Sequence, residues 1–559
     1  MSLKEVVLSL PVVRDLPQQT QGNVLTALSS LALAILAFAV YRLVTPSERG
    51  SIRRLGGLPI VTAWTFFSKR YDFLWSNFRN SSDPHFKFQV LQHQVVALRG
   101  EEARKAFFDT KSLDFIEGYK ILMGAVPRLT DIAVTDTANE DVSWFNKHLA
   151  MLLNKNRLTD GSFNYPLLPS LLGDINWRME KWGKKGRMDP FKNIYDLVFQ
   201  MTVRMASCSE LANDLEAMDK IQKLYWTLEK SATPTALLLP WFPGPAKKKK
   251  EAATKELFVT LYGYVEGRRA AEVPSSDAID VLIGQGMSTQ MIVQFILSVV
   301  FAGVINTGIN SCWALVFLAS HPEWKDKVKA EVNAIIEKHT NTLSSDPLHK
   351  RLAAIPISVW EDEMPVLETV IRETIRLILT GAALRRNVLE ELTVAGGLIQ
   401  KGDFVAYSVA DAHLNPEIYT QPNEFDPARF GPGREEDKKG TFSYLGWGAG
   451  RHPCTGMKVA KLEIKVIMAV MLAGYDFDVV DKNGKHMNEL PKPDRNDIHQ
   501  VCSGLDFFFS SISYHNSFYR RGLWESRVIS SLRGSWIRDV LICGLAGGSR
   551  FIYIYTFIN

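Results

Sequence analysis

The sequence Trp447-Gly448-Ala449-Gly450-Arg451-His452-Pro453-Cys454-Thr455-Gly456 sets one cysteine on a loop punctuated by glycines, just ahead of a helical pattern that runs from Lys461 to Ala473. A helix N-terminus offers unpaired backbone N–H groups and the positive end of the peptide dipoles, which lower a thiol pKa and hold a thiolate. Held there, Cys454 can serve as a nucleophile or as a ligand to iron. Glycines on both sides let the backbone come close to a flat, bulky group. Alone, a buried cysteine is more often just a small apolar residue.

Outward from that loop the pattern is mostly helical, with one β-rich stretch. Ser288 has the chemistry of an N-cap, and Ile292, Phe295, Ile296, Val299 and Val300 begin a proline-free run that continues to His321. About 30 residues is long for a globular helix and implies a central, mostly buried one. Within it, Ala302-Gly303-Val304-Ile305-Asn306-Thr307 places a glycine in mid-helix. That costs about 1 kcal/mol relative to alanine and points to close approach or a local opening. Pro322 closes this helix and opens a charged one through Lys338. Another amphipathic helix is predicted from Pro365, a favoured first-turn residue, to Leu379. It carries Glu373-Thr374-Ile375-Arg376, whose acid and base share a helix face. Val388 to Val409 alternates and holds the Gly396-Gly397 and Lys401-Gly402 turns, the pattern of short strands.

The cysteine loop resembles the haem-binding loop of the cytochromes P450, Phe-x-x-Gly-x-Arg-x-Cys-x-Gly. Gly450, Cys454 and Gly456 match; Trp447 stands where the family has Phe, and His452 where it has Arg. Trp447 can still cover the thiolate face and His452 can still bond a haem propionate. Three further segments resemble the family in the same order. Glu373 and Arg376 match its Glu-x-x-Arg motif, and Phe425-Asp426-Pro427-Ala428-Arg429-Phe430 supplies the arginine that joins them. The resemblance implies that Glu373, Arg376 and Arg429 form a buried structural triad bracing the loop. Ala302 to Thr307 resembles Ala/Gly-Gly-x-Asp/Glu-Thr, which implies that Thr307 hydrogen-bonds dioxygen over the haem and helps deliver protons. The acid is replaced by Asn306, whose amide cannot relay a proton as a carboxylate does. Arg386 matches a position that often binds a propionate, with Arg385 as neighbour and rival. Trp144-Phe145-Asn146-Lys147-His148 resembles Trp-x-x-x-Arg, with His148 for Arg, although a Trp144/His148 pair at helical spacing is more often core packing.

The resemblance covers about Leu58 to Asp506. It implies the P450 fold, a mainly α triangular prism with a small β-rich lobe, behind one N-terminal transmembrane helix. It also implies haem b (iron protoporphyrin IX) between the Thr307 and Cys454 helices, with Cys454 as the axial iron ligand. The activity implied is that of a haem-thiolate monooxygenase, in which the thiolate donates electron density and favours O–O cleavage. The chain has no Gly-x-Gly-x-x-Gly fingerprint or flavin domain, so NADPH electrons would come from a separate NADPH–cytochrome P450 reductase, with cytochrome b5 a candidate second donor. A basic face including Lys458 and Lys461 could dock that acidic partner. Ala302, Thr307 and the small apolar segment Thr380 to Leu384 are expected to line a pocket for a lipophilic small molecule. A terpenoid or other fungal secondary metabolite is family analogy, not a reading of the site. Two rival readings stand beside this one: a reductase-independent isomerase or dehydratase, and a catalytically impaired haem protein.

Composition fits. Of 559 residues, 46% are hydrophobic and 22% charged, which excludes disorder and coiled coil, and the net charge of 65 − 60 = +5 does not argue for nucleic acid. Five scattered cysteines without Cys-x-x-Cys pairs speak against a disulfide framework or zinc cage. Val24 to Tyr41 is an uncharged run long enough for one membrane pass. Arg42, Arg49, Arg53 and Arg54 follow it, which places the N-terminus in the lumen of the endoplasmic reticulum and the body in the cytosol. A cleaved signal peptide fits less well, because Lys4, Glu5, Arg14 and Asp15 sum to zero where a positive start is needed. The expected organisation is a lumenal segment 1–23, an anchor 24–44, a Pro/Gly connector 45–70, a catalytic domain 71–510 and an atypical tail 511–559. Lys247 to Lys250, after Pro240-Trp241-Phe242-Pro243-Gly244-Pro245-Ala246, reads either as a solvated helix start or as a contact with anionic membrane lipid.

Overall fold

The computed structural model describes residues 52–119, 148–149, 167–231, 233–238, 244–272, 277–340, 345–487, 489, 492–497 and 505–512, with isolated positions between 23 and 41. Trp144, residues 240–243 and the tail from 513 onward lie outside the described residues. The chain forms two compact units, Met1–Lys120 with Ala382–Ser408, and Ile121–Gly381 with Val409–Asn559.

The first unit is built on a five-stranded sheet in the order His85–Val90, His93–Leu98, Phe404–Ser408, Ala382–Asn387, Leu113–Asp114. Only the pairing of His93–Leu98 with Phe404–Ser408 is parallel. A hairpin of Leu392–Val394 and Gly397–Ile399 completes the β-rich lobe. Its turn lies at Ala395 (φ +47°) and Gly396 (φ +77°), and the next reversal at Gly402 (φ +91°), where a glycine accepts left-handed backbone without penalty. The strands begin six residues before Val388, because two adjacent arginines hide the alternation of Ala382–Asn387. Arg385 is nevertheless buried among the rings of Phe107, Phe108 and Phe115, 4.8–5.8 Å from their centroids. The stretch expected as a connector to residue 70 is folded from Ile52 onward. Pro59 opens the helix Pro59–Ser68, whose Ala63, Phe66 and Phe67 turn inward at helical spacing. The Gly56-Gly57-Leu58-Pro59 turn is therefore that helix's entrance.

The second unit is mainly helical and holds four elements that matter below: α1 (Pro190–Ala206), α2 (Thr289–Ser320), α3 (Pro365–Ile378) and α4 (Met457–Gly474). Ser288 caps α2 by accepting from Met291 N–H at 3.3 Å. At 32 residues α2 is about 48 Å long. Among the described residues it is the one helix long and apolar enough to cross a membrane, yet its side chains are largely buried, so it is the core helix of this unit. Two glycines let α1 lie against it. A Cβ at Gly303 would meet Thr202 Cγ2 at 3.2 Å, and one at Gly308 would stand 2.4 Å from the Tyr195 ring. A small antiparallel sheet of Tyr475–Asp481, Leu505–Ser511 and Lys185–Met188 completes the unit, with Phe477 opposite Phe509. Lys247, Lys248 and Lys249 lie exposed in the first turns of the helix Pro245–Arg269.

Candidate active site

The cysteine loop is a two-residue hairpin, Gly448–Ala449 against His452–Pro453, turned through Gly450 and Arg451. Gly448 (φ +73°) and Gly450 (φ +58°) are left-handed, and a Cβ at Gly448 would lie 2.3 Å from the His452 carbonyl oxygen. Cys454 N–H donates to the Trp447 carbonyl at 2.8 Å and closes the loop; Met457 N–H donates to the Cys454 carbonyl at 3.3 Å and starts α4, with Gly456 as N-cap. The helix end does supply N–H groups to the sulfur, from Gly456 and Met457. Burial outweighs them and pushes the Cys454 thiol up to about 11. The expectation of a thiol pKa lowered by the helix end is corrected accordingly: two N–H groups do not offset the loss of water, and a metal cation must displace the proton.

Behind the loop stands a fully buried charge cluster. Arg376 donates to Glu373 through Nε and Nη2, both at 2.8 Å, and Arg429 Nε donates to Glu373 at 3.0 Å. All three side chains have no exposed surface. A fourth member went unread in the sequence. Glu436 accepts from Arg429 Nη1 at 2.7 Å and from Thr420 N–H at 3.0 Å. Burial pushes Glu436 up, but hydrogen bonds from Arg434, Arg429 and Thr420 prevail and bring it down to about 2. The cluster reaches the loop through His413, also unread. Arg376 Nη1 donates to the His413 carbonyl at 2.6 Å. The His413 ring donates from Nδ1 to Leu379 O at 2.8 Å and accepts at Nε2 from Leu445 N–H, also at 2.8 Å, two residues before Trp447. Any displacement of Arg376 is thus felt at the start of the cysteine loop.

The loop faces a cavity lying wholly within the second unit. It brings together Cys454, Trp447, Gly456, Asn306 and Thr307 of the expected residues, with Ala302. Thr380 to Leu384 was expected on this wall; α3 supplies Ile375 and Ile378 instead, followed by Leu379. Residues Ala382–Asn387 instead form a strand of the first unit's sheet. Asn306 Nδ2 donates to Ala302 O at 2.9 Å, so its amide N–H is committed to its own helix. Sequence reasoning missed Thr202 of α1 and Glu463 of α4, both on the wall. Glu463 had a signal: it is an acid inside the apolar run from Leu462 to Ala473.

Neither Arg386 nor His452, His148 or Gly450 lines the cavity, although Leu149 does. Arg386 sits in the first unit and donates to Gly402 O at 3.1 Å and to Glu117 at 3.3 Å. Its neighbour Arg385 is the buried one, donating from Nη1 to Leu384 O, while its Nε has no partner. Lys461 pairs with Glu368, and Lys458 lies 3.6 Å from Glu361, so the basic face is partly neutralised.

The wall fits haem by its chemistry. Among the described residues no group of three or more His, Cys, Asp or Glu side chains could hold a bare metal ion. An iron bound to Cys454 must therefore bring its other ligands with it, as a macrocycle does. A Cβ at Gly456 would meet nothing within 4 Å, leaving an open face on the wall, and the buried Trp447 Nε1 has no partner.

A thiol and a helix hydroxyl on one largely apolar wall, in a mainly helical chain with small sheets, are consistent with an oxidoreductase of the haem-thiolate class. The chain belongs to the cytochrome P450 family, whose model matches residues 180–497, and it is a P450 monooxygenase. It is 29% identical over 474 residues to the cytochrome P450 monooxygenase AacuE of Aspergillus aculeatus, covering 82% of this chain and 93% of that one. It is 30% identical over 425 residues to the cytochrome P450 monooxygenase nsrP of Aspergillus novofumigatus, covering 73% and 81%. The solved structure of retinoic acid-bound cyanobacterial CYP120A1 shares the fold, with a TM-score of 0.62 at 20% identity, over 82% of this chain and 98% of that one. The family implies a haem cofactor.

Proposed function

We propose that this monooxygenase inserts one oxygen atom of dioxygen into an apolar small molecule, using NADPH electrons passed on by a separate membrane-bound reductase. The observation that carries the reading is the shared wall: Cys454 and Thr307 line one cavity whose surroundings are almost wholly apolar. Haem, bound through Cys454, supplies the iron at which dioxygen is reduced, and the thiolate's electron donation favours O–O cleavage. The chain's own residues do the rest. The Gly448–Gly450 hairpin and the Glu373–Arg376–Arg429–Glu436 cluster fix where the sulfur stands. Phe295, Val299 and Ile378 keep water from the substrate and select for lipophilicity. Thr307, 2% exposed, holds a proton on its hydroxyl at the wall. Trp447 covers the sulfur; His452, Trp144 and His148 are the candidates for the propionates. A fungal secondary metabolite, such as a terpenoid, is the substrate class proposed, by analogy with the family.

The same proposal places residues 24–44 in the endoplasmic-reticulum membrane and 71–510 in the cytosol, with 511–559 as an appended tail. Asn23, Thr26, Ala27, Ser30, Leu31, Leu33, Ala34, Ala37 and Tyr41 are helical and exposed, as a lipid-embedded helix requires. Leu58, Ile60, Val61 and Trp64, just beyond, leave an apolar face open.

The test is the carbon-monoxide difference spectrum of the dithionite-reduced, membrane-expressed protein beside Cys454→Ser. The long-wavelength Soret band that names the family is expected, and Cys454→Ser loses it. Haem with only the shorter-wavelength band in the unaltered chain overturns the reading. Product formed without NADPH would favour the reductase-independent isomerase; bound haem without turnover would favour the impaired protein.

A further inference from the structure

The cavity face of α2 follows from its spacing. Phe295, Val299, Ala302, Asn306 and Asn310 lie three or four residues apart, share one side of the helix and line the cavity. The first three are apolar and the last two carry amides. Both amides spend their N–H in the same way. Asn306 Nδ2 donates to Ala302 O at 2.9 Å, and Asn310 Nδ2 donates to Asn306 O at 2.7 Å. A backbone carbonyl only accepts, so the nitrogen of each amide faces it and the amide oxygen faces away. Among the described residues no donor reaches either amide oxygen. Both residues keep part of their surface although α2 is the core helix of its unit, and the cavity is what that surface meets.

The other polar side chains of the wall do not serve these oxygens. Thr202 Oγ1 donates to Glu463 at 3.4 Å, across the cavity wall between α1 and α4. Trp447 Nε1 is a donor but is itself buried, so it is not presented to a ligand. A hydrocarbon drawn into the cavity therefore strips water from two acceptors and gives no donor back. An acceptor left dry costs free energy, and a ligand O–H removes that cost.

Resting on the monooxygenase reading above, we propose that the substrate is an already hydroxylated lipophile, an alcohol or a phenol, whose O–H donates to Asn306 Oδ1. Asn310 Oδ1, one turn further along α2, accepts from a second hydroxyl where the skeleton carries one. Asn306 is then a specificity-determining residue. A site that keeps a buried acceptor for a substrate hydroxyl rejects the analogue that lacks it, because the acceptor stays unpaired. The amide suits this task better than a carboxylate at the same position. It offers an acceptor without a charge, and a charge on an apolar wall needs a cation beside it.

The experiment measures binding and needs no turnover. Full-length haem-loaded protein is dialysed to equilibrium against sets of ligands that share one skeleton: naphthol, its methyl ether and naphthalene; hydroxyanthracene, its methyl ether and anthracene; decalol, its methyl ether and decalin. The hydroxyl member is expected to bind about tenfold more tightly than its two partners in at least one set. The ether shows which property is read, since it keeps the oxygen and lacks the donor. Asn306→Leu, of similar size, and Asn306→Ala, a strong helix former, are each expected to bring the members of that set to equal affinity. The proposal is overturned if no set shows the order, whether its members bind alike or not at all. It is equally overturned if the ether matches the alcohol, or if the order survives in Asn306→Leu, which hands the hydroxyl to another group on the wall. Should both variants fail to load haem, the ether comparison on the unaltered protein decides alone. A missing thiolate band in the carbon-monoxide spectrum sinks the monooxygenase reading instead, and the order of affinities is judged separately from it.

Discussion

Glu373→Gln changes one oxygen to nitrogen at the centre of the buried cluster. Glu373 accepts four hydrogen bonds: from Arg376 Nε and Nη2, from Arg429 Nε and from Asp426 N–H at 2.9 Å. With Glu436 the four buried side chains carry −1, −1, +1 and +1, which sum to zero; glutamine leaves them at +1. Its NH₂ group also turns a donor toward donors. Breaking a buried ion pair by removing one partner costs about 3–5 kcal/mol, because the remaining charge stays uncompensated. A domain has about 5–15 kcal/mol of stability in all. Urea unfolding should therefore show a loss of about 3–5 kcal/mol, and the carbon-monoxide difference spectrum little or no haem per mole of protein, since Arg376 is tied through His413 to Leu445 and the loop. Glu256→Gln is the control. Its partner Lys220 lies 3.0 Å away with both side chains about half exposed, and such a pair is worth no more than about 1 kcal/mol. If Glu373→Gln binds wild-type haem and unfolds within about 1 kcal/mol of wild type, the cluster does not brace the loop and the reasoning fails.

The glycines of the long helices should divide by surroundings. Gly308→Ala drives a methyl to 2.4 Å from the Tyr195 ring and should lose about 1–3 kcal/mol in urea unfolding; Gly263→Ala, in the interior of Pro245–Arg269 with nothing within 4 Å, should gain up to about 1 kcal/mol. Equal responses would refute the packing argument. His413→Leu leaves Leu379 O and Leu445 N–H buried without partners, at about 1–3 kcal/mol each, and should release haem faster in a transfer assay to apomyoglobin. On the acid side, Glu436 lies below its unfolded value of about 4.3. Its stabilisation is therefore complete above that value and disappears as pH falls toward 2. Glu436→Gln should flatten the stability profile between about pH 4.5 and 2, and a parallel downward shift of the whole curve would count against it.

What the sequence discloses of this fold is what local chemistry decides. Ser288 as a cap and Pro322 as a stop bound α2 to within a residue, and Pro365 opens α3 where a first-turn proline is favoured. The Gly448, Gly450 and Cys454 spacing is likewise local, since positive φ and a helix N-terminus need no distant partner. The strand Ala382–Asn387 was hidden because Arg385 reads as a surface residue until Phe107, Phe108 and Phe115, more than 260 positions earlier, close around it. His413 and Glu436 were hidden for the same reason. Each becomes part of the brace only when folding delivers Leu445 to one and Arg429 to the other.

Glu463 and Lys465 show how far one helix can be read without its neighbours. Both are charged residues within the apolar run of α4, both are 2% exposed, and positions two apart do not share a helix face. Lys465 keeps its charge by reaching a carbonyl and Glu368. Glu463 accepts from the Thr202 hydroxyl and, among the described residues, pairs with no cation, and burial of an unpaired carboxylate costs more than protonating it. One face of α4 therefore carries a fixed positive charge and the other a carboxyl that holds its proton near neutral pH. Two residues that look alike in the sequence thus differ in whether an opposite charge meets them, and only the packing around α4 tells them apart.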